Sequence, residues 1–483
     1  MSGPLPTSPY FALIGRNEHA QAAVHDPQNR VHFVPTGDGS GALGVGHIPP
    51  RGTDDPATLA TIGRGGDIVL SSESISKKHC IFTINRQDMI VTLKDVSSSG
   101  STRVGDSDPH CSYPFAGNRR EIVVMPGVNS LLGLGGEHSD LFVFEIQWAN
   151  NFQDTVRKLS ARPAISAVGN GQWEETRLPS RISAIHTNSY IATRMRNVAP
   201  LQTIRYHALE FLGQGRVGMV FKAVDVDHSR LVAVKRIVLP PDGKDLHYQA
   251  AKGEVEALAR IDHASPSLPT HIVKLRGFVS ALDGVPPKVE ILMDLMDGDV
   301  PTLVRGSDSQ WIKGYIAPRL CRQILAALDF LETKSIVHGD VKPQNILFRR
   351  KVIGQETDFV FLLGDFGSTA LARLAPNYGA TTTYRAPELF TGAIPTSKSD
   401  CWSLYVTLLW ATNHSGFQGV TGAQRTEIHQ YVMFSMGDPF LATVRQLARE
   451  DPYQRASAAQ MLVAVYDGEG LSTPRHQIPP LAN

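Results

Sequence analysis

The sequence is short of cysteine. Cys80, Cys111, Cys321 and Cys401 are spread over 483 residues with no CxxC pair, so neither a disulfide framework nor a zinc site is expected, and a reducing compartment is the default. Long apolar runs are missing too. The most apolar stretch, residues 402–411, is too short to span a bilayer and suits a buried helix. Residues 1–14 lack a basic start followed by an apolar run, so no signal peptide is read there. Excess charge is also lacking: a net +1 gives no bulk attraction to nucleic acid or anionic membrane. Hydrophobic residues at 42% against charged ones at 19% exclude a disordered chain, and the length allows two or more domains.

Charge is uneven along the chain. Residues 1–150 carry 11 Lys and Arg against 15 Asp and Glu, whereas residues 151–206 carry 8 against 3. A basic middle with scattered Pro, Ser and Gly reads as a solvated linker. The expected organisation is a domain over 10–150, a linker over 151–206, a second domain over 207–466 and a tail over 467–483.

Chemistry concentrates in His338-Gly339-Asp340-Val341-Lys342-Pro343-Gln344-Asn345, followed by Asp365-Phe366-Gly367. One acid, a lysine and an amide share a short loop, and a second acid sits on the next. Phosphoryl transfer from a Mg-nucleotide needs a base for the incoming hydroxyl, a cation near the moving phosphate and two oxygen ligands for metal. Upstream runs Leu212-Gly213-Gln214-Gly215-Arg216-Val217-Gly218-Met219-Val220. Strand-like residues on both sides (209–212 and 220–224) favour a hairpin, in which glycines let backbone amides approach phosphate. In Val232-Ala233-Val234-Lys235, alternation puts Ala233 and Lys235 on one face. Residues 251–261 read as a helix carrying Glu254, the carboxylate expected to pair with Lys235, with Glu256 as the second choice. Apolar runs at 335–337, 346–348 and 359–363 read as buried strands bracing the two acidic loops.

With Tyr384-Arg385-Ala386-Pro387-Glu388, Asp400-Cys401-Trp402-Ser403 and Asp451-Pro452-Tyr453-Gln454-Arg455 in order, this half resembles a protein kinase. The resemblance implies an α+β bilobal fold with a hinge near Met293 and Met296, using ATP and Mg2+. It implies Asp340 as base, Lys342 on the transferring phosphate, Asn345 and Asp365 on Mg2+, and Lys235 with Glu254 on the nucleotide phosphates. It places Gly213, Gly215 and Gly218 over those phosphates. Leu212, Val220, Ala233 and Leu347 would sandwich adenine, with Met293 gating the deep pocket. Glu388 would pair with Arg455. Lys342 and Thr381 point to Ser/Thr rather than Tyr as acceptor, and Pro387-Glu388 with Thr381 disfavours a lipid or small-molecule kinase. Three departures stand out. Gly339 replaces the usual arginine that grips an activation-loop phosphate. Gln344 replaces a glutamate that selects arginine upstream of the target, leaving Asp297 and Asp299 to attract a basic substrate. Ala380 replaces a glycine, with Gly379 shifted by one.

The first half reads as all-β, with short apolar runs (81–84, 89–93, 121–125, 141–148) between Gly, Asp and Ser turns. A phosphate dianion needs a guanidinium fork, a hydroxyl and further cationic or amide donors. Ile62-Gly63-Arg64, Ser76-Lys77-Lys78-His79 and Asp95 to Ser101 resemble a forkhead-associated (FHA) domain, a β-sandwich that binds phosphothreonine peptides. The resemblance implies Arg64, Ser76, Lys77 and the backbone near Ser98 as those donors, with Lys78 and Arg103 adding local positive field. Ser99 stands at the peptide-contacting position where such domains usually have Asn, and Ser101 replaces a usual Thr. His79 is expected to brace the loops, and 106–118 looks like an insertion.

Together the halves form a multidomain chain, an N-terminal all-β FHA sandwich plus a C-terminal bilobal kinase, similar to the FHA checkpoint kinases of DNA-damage or meiotic signalling. That implies recruitment to phosphothreonine-bearing partners, protein substrates, no direct nucleic acid or membrane partner and an intracellular site. The nucleus follows from the resemblance, with the cytoplasm as alternative, and the oligomeric state stays open. Only Ser309-Gln310 offers a Ser-Gln pair, so N-terminal self-association is not expected, and Arg157-Lys158-Leu159-Ser160 is a basophilic phosphosite pattern. The competing reading is a phosphopeptide-binding scaffold with a pseudokinase half.

Overall fold

The computed structural model describes residues 9–148, except Asp38, Gly52, Asp54, 86–89, 106–111 and 115–119. It further describes 188–189 and 205–482, except 215–217, 240–245, 265–269, 282–286, Gln355, Ser368, 370–381 and 421–424. Gly215, Thr381, Ser368, Gly379, Ala380, the 157–160 pattern, most of the linker and most of the 106–118 insertion therefore lie outside the described residues. The chain divides into two compact units. One is Met1–Tyr190 with Thr203–Leu209 and Ala223–Leu231; the other is Ile191–Gln202, Glu210–Lys222 and Val232–Asn483.

The first unit is a sandwich of two sheets. Its strands are β1 (Phe11–Gly15), β2 (Phe33–Val34), β3 (Ala42–Val45), β4 (Thr58–Gly63), β5 (Ile68–Val69), β6 (Cys80–Asn85), β7 (Ile90–Asp95), β8 (Thr102–Gly105), β9 (Ser112–Pro114), β10 (Glu121–Val124), β11 (Leu131–Leu134) and β12 (Phe142–Trp148). One sheet runs β2-β3-β1-β12-β11-β8-β9 and the other β10-β7-β6-β4-β5. Period-2 alternation builds the core: β6 buries Cys80, Phe82 and Ile84, and β12 buries Phe142, Phe144 and Ile146. The turns after β4, before β6 and after β7 carry Arg64, Ser76 and Ser98.

A further sheet follows in the chain, with 188–189, 205–209 and 223–231 falling to the first unit and its other residues to the second. β14 (Arg205–Gln214), β15 (Met219–Asp225), β16 (Arg230–Val238), β17 (Leu275–Ala281) and β18 (Lys288–Asp294) stand in the order β14-β15-β16-β18-β17, with β13 (Asn188–Ser189) at the β14 edge. A helix, Leu246–Ala264, connects β16 to β17. The rest is mainly helical, built on Ala317–Thr333, Ser397–Ala411 and Ala458–Tyr466. The hairpin of β20 (Ile346–Ile353) and β21 (Glu356–Leu363), edged by β19 (Gly298–Asp299), holds the two acidic loops.

The run 402–411 falls inside Ser397–Ala411, a helix started by a Thr396–Ser399 capping box and buried on nearly all sides. The expected strand at 335–337 is absent. The chain leaves helix Ala317–Thr333 through Ser335 in the left-handed region (φ 53°), and Ile336 N donates to Leu331 O at 3.0 Å. Ile336, 3% exposed, plugs the helix end, so its apolar character serves a cap rather than a sheet. After Tyr466 the chain stays on this unit. Asp329, fully buried, accepts from Ser472 N (2.6 Å), Thr473 N (3.0 Å) and Thr473 Oγ1 (2.6 Å). Gln460 Nε2 donates to the carbonyls of Pro479 and Pro480.

Candidate active site and phosphate-binding loops

β16 carries Lys235 inward beside Ala233, whose register partner on β18 is Met293. Lys235 Nζ donates to Glu254 Oε2 at 2.7 Å and to Asp365 Oδ1 at 2.6 Å. Glu256, the other candidate, faces Lys252 on the exposed side of the same helix. Burial alone would lower the Lys235 pKa, but Glu254 and then Asp365 outweigh it and hold the ammonium above its ordinary value. Burial would raise Asp365, yet the Lys235 charge beside it brings that carboxyl down to about 2.

The neighbouring loop presents Asp340. Lys342 Nζ donates to Asp340 Oδ2 at 2.7 Å, and Asn345 Nδ2 donates to Asp340 O at 2.8 Å and Oδ2 at 3.2 Å. The loop is fixed from beneath. Asp400 accepts from His338 N at 2.8 Å and Gly339 N at 2.9 Å. His338 Nε2 donates to Gly364 O at 2.9 Å, so its Nδ1 is the unprotonated nitrogen that accepts from Asp340 N at 3.3 Å. His338 thus links the Asp340 loop to the Asp365 loop, and the Phe366 ring packs edge-on against it at 4.8 Å. Asp400 and His338 were legible as motif members, but their bracing role appears only in space.

Backbone conformation explains several residue choices. Gly339 has φ 79°, a left-handed value that glycine adopts without the Cβ strain an arginine would carry. Asp365 takes φ 61° despite its side chain, a strained setting held by its bond to Lys235. A Cβ on Gly367 would sit 3.3–3.4 Å from Asp365 Oδ1 and Glu254 Oε2, so glycine leaves room for that cluster. At Gly218 a Cβ would collide with the Arg236 carbonyl.

The donor set fits Mg2+. Asn345 uses its Nδ2 on Asp340, which leaves its amide oxygen available, and Asp365 uses only Oδ1 on Lys235. One amide oxygen and one carboxylate oxygen are hard ligands of the kind Mg2+ takes. Leu212 is exposed, Val220, Met293 and Leu347 are half-buried and Ala233 is buried. Glu388 meets Arg455 in a bidentate pair at 2.7 and 2.9 Å, with Arg455 1% exposed. Asp297 Oδ2 accepts from Arg350 N and Asp299 Oδ1 caps Thr302 N. Asp297 stays exposed and Asp299 half-buried.

In the first unit, the turn after β4 is zipped to the Ser76 segment. Arg64 N donates to Ser76 O (3.1 Å) and Gly65 N to Lys77 O (2.9 Å). Gly63 permits this approach, because a Cβ there would meet Lys77 O at 2.6 Å. Ser98 N donates to Ser76 Oγ, and the Ser76 and Ser98 hydroxyls lie 3.2 Å apart. Ser99 Oγ bonds Ser101 Oγ at 2.6 Å. His79 is buried, accepting from Ser76 N through Nδ1 and donating to Ser101 O through Nε2, so it ties both loops together. Arg64 and Lys77 are exposed. Arg120, which the motif reading missed, donates from Nη1 to Ser97 O on the same loop. It follows a stretch with no motif, and the only sequence signal was the Arg119-Arg120 pair before β10.

Fold and site together define a two-lobed phosphotransferase framework and, separately, a β-sandwich whose loops carry exposed cations. The protein kinase domain model matches residues 206–466, more than half of the chain, and the chain belongs to the protein kinase family. The FHA domain model matches residues 60–111. The chain is similar to serine/threonine-protein kinase ppk5 of Schizosaccharomyces pombe, 26% identical over 52% of this chain and 28% of that protein. It is also similar to cyclin-dependent kinase D-1 of Arabidopsis thaliana (32%, over 39% of this chain and 44% of that one). A third relative is serine/threonine-protein kinase dkf-2 of Caenorhabditis briggsae (26%, over 54% and 20%). The matches span less than half the length of each of these relatives.

Proposed function

We propose that this chain is a serine/threonine protein kinase that transfers the γ-phosphoryl group of ATP to protein hydroxyls, recruited through its FHA domain to phosphothreonine-bearing partners. The observation that carries it is the assembled cluster: Lys235 between Glu254 and Asp365, with Lys342 and Asn345 on Asp340. Asp340 accepts the proton of the incoming hydroxyl as its oxygen bonds the γ-phosphorus. The bond from that phosphorus to the β–γ bridging oxygen breaks, and ADP leaves. Lys342 offsets charge on the moving group and Lys235 orients the nucleotide phosphates. Asn345 and Asp365 would hold Mg2+, which supplies charge neutralisation when bound. Arg64, Ser76, Lys77 and the Ser98–Ser99 backbone would take the phosphothreonine dianion. Tethering a catalytic unit to such a partner raises its effective concentration near substrate. The checkpoint pathway and a nuclear site extend this reading by resemblance; imaging of the tagged chain before and after DNA damage tests both.

Gly339 leaves the loop without the arginine that would receive an activation-loop phosphate, so we propose a catalytic loop held ready by Asp400 and His338. The decisive experiment is Mg-ATP phosphorylation of a basic protein substrate by wild type and Asp340→Ala. Equal signals would leave the scaffold reading in its place.

A further inference from the structure

The first unit is acidic overall, yet the loops at one end of its sandwich gather cations. Arg64, Lys77, Lys78 and Arg120 are all exposed, and among the described residues none of them is in an ion pair. The nearby carboxylate Asp95 is 3% exposed and engaged by Ser97 N at 2.8 Å. A phosphothreonine brings about −1.5 to −2 charges. Four unneutralised cations exceed that, so the loops suit a ligand with more negative charge than one phosphate.

Arg120 is placed to meet the surplus. The turn from Ser97 to Gly100 closes on itself, with Gly100 N donating to Ser97 Oγ at 2.9 Å. Ser98 at its tip belongs to Ser76, while the neighbouring Ser97 carbonyl belongs to Arg120. Arg120 therefore stands beside the phosphate donors rather than among them. Its Nη2 lies 3.6 Å from where a Cβ on Gly100 would be, so the glycine leaves the guanidinium uncovered on that side. One of its five N–H donors is used on Ser97 O, and the rest are available for a planar carboxylate.

We propose that Arg120 is a specificity-determining residue that reads an aspartate or glutamate close to the phosphothreonine, so the preferred partner is an acidic phosphopeptide. This rests on the phosphothreonine reading above. The full-length chain is tested against a library of phosphothreonine peptides with degenerate flanks and against the unphosphorylated library. Wild type should enrich Asp and Glu within a few residues of the phosphothreonine about fivefold, the size of one surface ion pair. Arg120→Gln, which keeps a donor for Ser97 O and removes the charge, should flatten that enrichment while neutral phosphopeptides still bind. Arg120→Lys should restore most of it, and added salt should shrink it. Phosphopeptide binding without acidic enrichment, or equal loss by Arg120→Gln on acidic and neutral peptides, would overturn this inference alone. No phosphorylation-dependent binding at all would overturn the phosphothreonine reading and this inference with it.

Discussion

The kinase unit and the sandwich of this chain treat their cations in opposite ways. In the kinase unit, Lys235 is buried between two carboxylates and Lys342 is bonded to Asp340. In the sandwich, Arg64 and Lys77 point into water with no ion pair among the described residues. A catalytic cation must already be aimed when the nucleotide arrives, and neighbouring charges fix its direction. On the proposed function a recruiting cation need only be present, and leaving it unpaired would keep its attraction available to an incoming dianion.

That contrast can be broken most sharply at Asp340. Asp340→Ala should cut turnover about a hundredfold to ten-thousandfold in a steady-state assay while phosphopeptide binding stays intact. The next largest effect separates the cations themselves. Lys235→Ala leaves the buried Glu254 without its counter-charge and should cost about 3–5 kcal/mol in denaturant unfolding. Arg64→Ala should abolish phosphopeptide binding and leave the unfolding midpoint unmoved, because nothing folded depends on that guanidinium. Equal destabilisation by both substitutions would erase the distinction.

Acid sharpens it further. Asp365 lies below its ordinary 3.8, at about 2, so its contribution to stability is complete above pH 3.8 and fades as pH falls towards 2. Acid unfolding of Asp365→Asn should lack that component. The smallest effect is expected at Thr369. Thr369→Ala should change turnover by no more than about twofold, because the loop has no arginine at position 339 to receive a phosphate there. Severe loss would show that another group does that work.

The kinase half was legible because its chemistry lies in short contiguous stretches: Asp340 to Asn345 share one loop and Lys235 sits on an alternating strand. Glu254 is preferred over Glu256 by the kinase resemblance, in which the glutamate precedes the apolar helix positions, and the ion pair falls on Glu254. What stayed hidden depended on backbone angles or distant partners. An apolar run such as 335–337 looks the same whether it caps a helix or enters a sheet, and only the left-handed Ser335 decides it. Gly339 reads in sequence as a missing arginine; its φ shows a position where glycine relieves strain. Arg120 touches Ser97 across 23 residues, a proximity that strand pairing of β7 with β10 creates and no local pattern announces.

The anchoring of the C-terminal segment on Asp329 bears on how this chain is trimmed. The kinase match stops at Tyr466, the natural place for a deletion guided by homology. Cutting there would spare every catalytic group yet strip Asp329 of its three donors, stranding a carboxylate inside the helix that leads to Asp340. The minimal stable catalytic fragment therefore extends beyond the homologous boundary, at least through Thr473.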